Sequence, residues 1–280
     1  MRHGTSLFAV LLAALALSLA APARADDESR LSGILQLDLT NAYFFRGILN
    51  ERDGLIAQPW AELYVSLYSA EDGPIRDVTL GAGVWTSINS EETLAADSPE
   101  SVYETDWYPL LSVGFANGLT LITTYYFYTS PNDAFDTVEE LNFTLEWDDS
   151  EVFDFPLAPW VNVAIETKLT SLGDHEGTGV QFGIEPKLFE FTNGVSFSLP
   201  LEMGLAIEDY YEEDDGSEDT FGYVSFGLAV SIPLAFVPEG LGAWSLRLAG
   251  QGFYFGDTLA EVNEGDELYP VVKGSLSIEF

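Results

Sequence analysis

The feature that most constrains this chain is a recurring alternation of apolar and polar residues. It repeats with a period of two through twelve segments. Side chains of an extended strand point to opposite faces in turn, so this period specifies strands with one apolar face. In 137–147, Leu141, Phe143, Leu145 and Trp147 alternate with Glu140, Asn142, Thr144 and Glu146. In 178–189, Val180, Phe182, Ile184 and Leu188 alternate with Gln181, Glu185 and Lys187. The remaining segments are 33–45, 55–68, 76–88, 103–115, 119–129, 160–170, 195–208, 220–232, 243–255 and 268–280. Each is long enough to cross a hydrocarbon layer as a tilted strand, which takes about 9–11 residues.

Charge decides which face is apolar to what. The chain carries 46 acidic against 10 basic residues, a net charge of −36 at pH 7. Such a balance excludes nucleic acid and a polybasic role at a lipid surface. Acid-rich disordered chains are poor in apolar residues, whereas this one is 47% hydrophobic and 14% aromatic. The alternation reconciles the two, with apolar residues facing outward to lipid and acids facing inward or lying in loops. The expected fold is therefore all-β, an antiparallel up-and-down transmembrane β-barrel of about twelve strands. There is no cysteine, and a closed barrel needs no disulfide, because closure pairs every strand. Absence of cysteine also excludes a lipid-anchored form.

The two ends add a destination. Arg2 and His3 precede an almost unbroken Leu, Ala, Val and Phe run over 7–21, followed by Ala23-Arg24-Ala25 and then Asp26-Asp27-Glu28. This pattern predicts a secretory signal over 1–25, cut after Ala25, with a barrel over 26–280. The run is about 15 residues, short of the ~20 a spanning helix needs. Beyond it no apolar stretch reaches that length. At the far end Pro270, Val272, Gly274, Leu276, Ile278 and Phe280 share one face, against Lys273, Ser275, Ser277 and Glu279. A last amphipathic strand ending in Phe resembles the C-terminal signal of bacterial outer-membrane barrels. It implies delivery by the barrel-assembly machinery into outer-membrane lipid and lipopolysaccharide.

Connectors alternate in character. One set, 70–75, 117–118, 148–158, 190–194 and 233–242, is mostly punctuated by Gly and Pro, although 148–158 is longer and acidic. Asn117-Gly118 is its sharpest turn signal. The other set, 46–54, 89–102, 130–136, 171–177, 209–219 and 256–267, is more acidic. With both termini in the periplasm, an even strand count puts the first set inside and the second outside. Aromatics fall at both predicted ends: Tyr43, Phe44, Phe45, Tyr103, Trp107, Tyr125 to Tyr128, Phe221, Tyr223 and Phe253 to Phe255 outside, and Trp147, Trp160, Phe189, Phe191, Trp244 and Phe280 inside. They are read as two girdles at the membrane interfaces.

The run Asn41-Ala42-Tyr43-Phe44-Phe45-Arg46-Gly47-Ile48, with Gln58-Pro59 after it, resembles the opening of the TorF-type porins. In that family a first strand closes on a Tyr-x-x-Arg-Gly-like turn, here Tyr43, Arg46 and Gly47. The resemblance is specific over 33–68 and implies an outer-membrane porin. On physical grounds Gly47 suits a tight exit from a strand. Arg46 has two readings, a guanidinium turned back into the lumen mouth to pair with acids, or an ordinary solvated loop arginine.

Inward-facing charges supply the candidate functional residues. These are Asp38, Glu62, Glu140, Glu146, Glu166, Glu185 and Glu202, against Lys168, Lys187, Arg247 and Lys273. Rings of charge select ions by sign, so the acidic lining points to a cation-preferring channel for small solutes. Mutual pairing of these charges, plugging the lumen, is the alternative. A non-conducting structural or adhesive barrel has the same strands and acidic loops. The acidic run 208–219 reads as a solvated outer loop, a place for divalent cations that bridge it to lipopolysaccharide; its spacing does not match a dedicated calcium loop. A barrel hydrolase needs a histidine general base. The only one after the leader is His175, in an acidic Gly-flanked loop, more simply read as a solvated side chain. No catalytic set, metal site or cofactor is expected.

Overall fold

The computed structural model describes residues 30–91, 102–132, 134–168, 176–211 and 219–280. The segment 1–25 expected to be a signal, His175 and most of the acidic run 208–219 lie outside the described residues.

The alternating segments form one antiparallel sheet that closes on itself. In chain order its strands are β1 (Leu31–Thr40), β2 (Ile56–Ser69), β3 (Ile75–Asn89), β4 (Val102–Phe115), β5 (Leu119–Thr129), β6 (Val138–Trp147) and β7 (Trp160–Lys168). There follow β8 (Thr178–Ile184 with Lys187–Glu190), β9 (Ser196–Ser198 with Leu201–Glu208), β10 (Phe221–Pro233), β11 (Ala243–Phe255) and β12 (Leu268–Glu279). Neighbours in sequence are neighbours in space. The ring is sealed where β1 pairs with β12, from Ile34 opposite Glu279 to Thr40 opposite Lys273. The protein is thus a closed barrel of twelve strands, as the periodicity requires.

Two strands are broken by proline, which has no N–H to give the ladder. Pro186 interrupts β8 and Pro200 interrupts β9. The carbonyls remain in use, since Leu199 N donates to Pro186 O at 3.1 Å and Gly227 N donates to Pro200 O at 3.0 Å. The turn after β4 has a left-handed Gly118 (φ 79°) as its only positive-φ residue.

Alternation sorts the faces. Leu63, Leu67, Phe226 and Val272 stand on the outside, 48–65% exposed. They belong to a continuous apolar surface with Leu37, Val65, Leu80, Leu111, Phe143, Leu145, Phe182, Leu228 and Leu248. A band of that extent is not stable against water, and lipid is the medium that suits it. Aromatics Trp107, Phe189, Phe191, Tyr254 and Phe280 are exposed near its edges.

Several aromatics expected in the girdles are instead inside. Tyr43, Tyr103, Tyr128, Tyr223 and Phe255 are buried, and Trp160 and Phe253 line the lumen. Trp160 faces inward at the turn end by its strand register; for the others the cause lies in the end carrying the longer connectors, here the loop end, whose loops fold back into the barrel. Expected to run to Phe45, β1 stops at Thr40. There the Asn41 side chain takes over pairing with β12, accepting from Val272 N at 2.6 Å and donating to Pro270 O at 3.2 Å. The backbone is released inward, and Tyr43–Phe45 and Ile48–Glu51 form a separate two-stranded hairpin within the lumen.

Candidate functional site

The lumen hairpin is made by its turn. Arg46 (φ 49°) and Gly47 (φ 87°) are both left-handed, the pair of conformations a two-residue hairpin connection of the primed type requires. A Cβ on Gly47 would lie 2.6 Å from Tyr223 Cδ1 and 2.7 Å from Leu259 Cδ1, so glycine is needed for space as well as for φ. Arginine in this conformation costs about 1–2 kcal/mol, and what its side chain reaches offsets that.

The Arg46 guanidinium turns into the lumen and meets Glu140 of β6. One nitrogen donates to Glu140 Oε1 at 2.5 Å and to Asn142 Oδ1 at 2.9 Å, and the other contacts Glu140 Oε2 and the Tyr210 hydroxyl. Glu140, 1% exposed, also accepts from Tyr128 at 2.9 Å, Tyr210 at 3.0 Å and Asn142 Nδ2 at 2.6 Å. Phe45 lies against the guanidinium, whose carbon is 4.9 Å from the ring centroid. Burial disfavours the Arg46 charge, but Glu140 beside it overrides that and holds the proton more tightly than in a free arginine.

Other loops fasten the hairpin. The helix α1 (Asp257–Val262) ends on Asn263, whose amide donates to Gly47 O at 2.7 Å and accepts from Leu49 N at 2.8 Å. The Tyr211 hydroxyl donates to Arg46 O at 2.9 Å. Leu259, Tyr211 and Tyr223 are buried in the same cluster, and Tyr43 donates to Glu104 of β4 at 2.7 Å. Tyr210 and Tyr211 therefore anchor the end of an acidic run expected to be solvated throughout.

The structure places the expected lumen residues unevenly. Asp38, Glu62, Glu140, Glu146, Glu166, Glu202, Arg247 and Lys273 share the inward register, and Glu185, in the break of β8, reaches the lumen residue Arg247. Arg247 pairs with Glu185 at 2.8 Å, and Lys273 with Asp38 at 3.8 Å. Glu62 accepts from Tyr108 at 2.7 Å, and Glu166 accepts from Gly177 N at 2.7 Å. Lys168 is a correction. The register shifts between Glu139 and Glu140, so Lys168 pairs with Glu139 at 3.5 Å, half exposed at the rim. Lys187 is another, since it lies past Pro186 and pairs with Glu190 at 2.6 Å in an exposed position. Of the two readings of Arg46, the structure has the inward one.

Beneath the hairpin is a cavity of about 530 Å³. Asp38, Asp106, Glu202 and Lys273 line it with the amides Gln58, Asn142, Asn162, Gln181 and Gln251 and the rings of Trp85, Tyr108, Tyr126 and Trp160. A ladder of amides leads to it from Arg46. Asn162 Nδ2 donates to Asn142 Oδ1 and to Gln181 Oε1, each at 2.8 Å. The reading of charges missed these amides and tyrosines. They were visible as Asn142, Asn162, Gln181, Tyr126 and Tyr128 on the polar face of otherwise alternating strands.

No family model matches the chain, and no curated protein does. Among solved structures, an outer membrane channel from Pseudomonas putida F1 is similar at 10% identity, covering 92% of this chain and 100% of its own, with a TM-score of 0.49. The NanC porin is similar at 10% identity, with 88% and 98% coverage and a TM-score of 0.42. The transport unit of the autotransporter AIDA-I from Escherichia coli is similar at 11% identity, with 96% and 97% coverage and a TM-score of 0.39.

Proposed function

We propose that this protein is a bacterial outer-membrane channel for small polar solutes, preferring cations among ions and narrowed at its loop end by the hairpin of the first loop. The observation that carries the reading is the lumen itself, a polar cavity with acids in excess inside a lipid-facing barrel. Glu62 and Glu146 have no basic partner among the described residues, whereas Arg46, Arg247 and Lys273 each face a carboxylate. Uncompensated negative charge in a confined polar passage raises the local cation concentration. The leader-like segment over 1–25 and the final strand ending in Phe280 support export, insertion from the terminal strand by the assembly machinery, and residence among outer-membrane lipid and lipopolysaccharide.

One observation favours a second reading. Arg46–Glu140 is a buried, multiply hydrogen-bonded pair, the geometry of a plug in a non-conducting structural barrel. Planar-bilayer recording separates the two. Under a KCl gradient the channel reading expects a conductance whose reversal potential is displaced from zero voltage toward the K⁺ equilibrium potential. An anion preference ends the cation assignment. No conductance from either the native protein or Arg46→Met leaves the structural reading.

A further inference from the structure

We infer that the cavity beneath the hairpin is a binding site for a neutral polyhydroxylated solute of mono- or disaccharide size. This deepens the channel reading by naming its solute class, and rests on it for the route the solute takes.

The inference starts from hydrogen bonds the protein does not make. Three side-chain atoms of cavity-lining residues are buried without a partner: Gln58 Nε2, Gln181 Nε2 and Asp106 Oδ1. Their residues are 6%, 3% and 6% exposed. A buried polar group without a partner is costly, and few persist in a folded protein without a reason. Each has a polar or aromatic neighbour on the wall. Gln181 is held through its carbonyl by Asn162, which leaves the amide donor over. Gln58 lies directly opposite Asp38 across β1 and β2, and Asp106 lies between Trp85 and Tyr128 in the register of β3, β4 and β5.

Their positions around the ring matter as much. Gln58 is on β2 and Gln181 is on β8, on opposite walls of a twelve-strand barrel, yet both border one cavity. Asp106, on β4, faces the same space. The leftover set is therefore two donors from opposing walls and one acceptor between them. A hydroxyl both donates and accepts, so a ring carrying several can answer all three. A simple ammonium ion can answer only the carboxylate and leaves both amides orphaned. Trp85, Tyr108, Tyr126 and Trp160 supply apolar faces for a C–H ring surface. The volume falls within the roughly 300–1,000 Å³ of ordinary small-molecule sites, which likewise combine apolar walls with a few placed polar groups.

The test uses the full-length barrel folded in detergent, with tryptophan fluorescence as the readout, since Trp85 and Trp160 line the cavity. D-glucose and sucrose are titrated separately. Cyclohexanol, a ring of similar size with one hydroxyl, and choline chloride are the controls. Sites built to hydrogen-bond hydroxyls reject analogues that lack them. The expected result is a saturable response to at least one sugar and to neither control. Gln58→Met and Gln181→Met should each weaken binding by about fivefold, the effect of one lost neutral hydrogen bond, with the heat-modifiable gel shift of the folded barrel retained. No saturable response to either sugar, a response to choline alone, or unchanged sugar affinity in both variants overturns the inference. Because fluorescence needs no current, sugar binding without conductance refutes the channel and keeps the site, and conductance without sugar binding does the reverse.

Discussion

The two halves of the lumen are built from the same strands and differ in what fills them. Toward the loop end, the hairpin, α1 and Tyr210-Tyr211 fold back and bury Arg46, Glu140, Tyr128 and Tyr223 in a dense polar and aromatic plug. Toward the opposite end, with its shorter turns, Glu62, Glu185 and Arg247 remain partly exposed on the wall and Glu146 is exposed, with Arg247 and Glu185 one-third or more open to solvent. The difference teaches that strand alternation sets which residues face inward, while the loops decide whether those residues meet water. Leaving an inward charge without its partner costs several kcal/mol in the first half and almost nothing in the second.

The largest test of that contrast is Arg46→Met. It leaves Glu140 buried and unpaired, at a cost of about 3–5 kcal/mol. The expected outcome is a clear fall in the urea or thermal midpoint of the folded barrel, with a several-fold rise in bilayer conductance as the hairpin loosens. The double variant Arg46→Met/Glu140→Met removes the orphaned charge as well and should recover most of the stability while conductance stays high. Equal stability of single and double variants would show that the pair does not hold the plug.

Of intermediate size is Asn263→Ala, which strips Leu49 N and Gly47 O of their partners inside the plug. A loss of about 1–3 kcal/mol is expected. Hydrogen exchange at the Leu49 amide should accelerate, while amides of β4 and β5 remain as protected as before; uniform acceleration would mean that the plug and the wall open together.

The smallest stability effect belongs to the open half. Arg247→Ala breaks a solvent-screened pair worth roughly 0–1 kcal/mol, so unfolding should hardly change. Glu185 loses its counter-charge, however, and the reversal potential should move further toward K⁺, most visibly at low salt. A large loss of stability here would erase the distinction between the halves.

Much of the wall was legible in the sequence and little of the plug was. The bounds of β5 and β11, Leu119–Thr129 and Ala243–Phe255, follow directly from local alternation, because side-chain direction along a strand is a property of adjacent residues. Pro186 and Pro200 were visible as breakers, yet period two ran through both. The plug is different in kind. Arg46 meets Glu140 and Tyr210 across separations of 94 and 164 residues, and Gly47 meets Asn263 across 216. No window on the chain contains both partners. What the sequence did hold was the Arg46-Gly47 turn and the tyrosine pair in the acidic run, two groups suited to burial placed where solvated loops were expected.

The seam between β1 and β12 has a consequence for assembly. Gly33 and Phe280 exchange two backbone hydrogen bonds, N to O at 2.8 and 3.0 Å, across nearly the whole described chain. The ladder from Ile34–Glu279 to Thr40–Lys273 is thus the contact of greatest sequence separation in the wall, and loop closure on that scale is slow and comes late. Until it forms, β1 and β12 are two unsatisfied edges, each able to accept a foreign strand. The same seam that makes the finished ring edgeless makes every unfinished one adhesive, so this protein's exposure to mispairing is concentrated in the interval before its first and last strands meet.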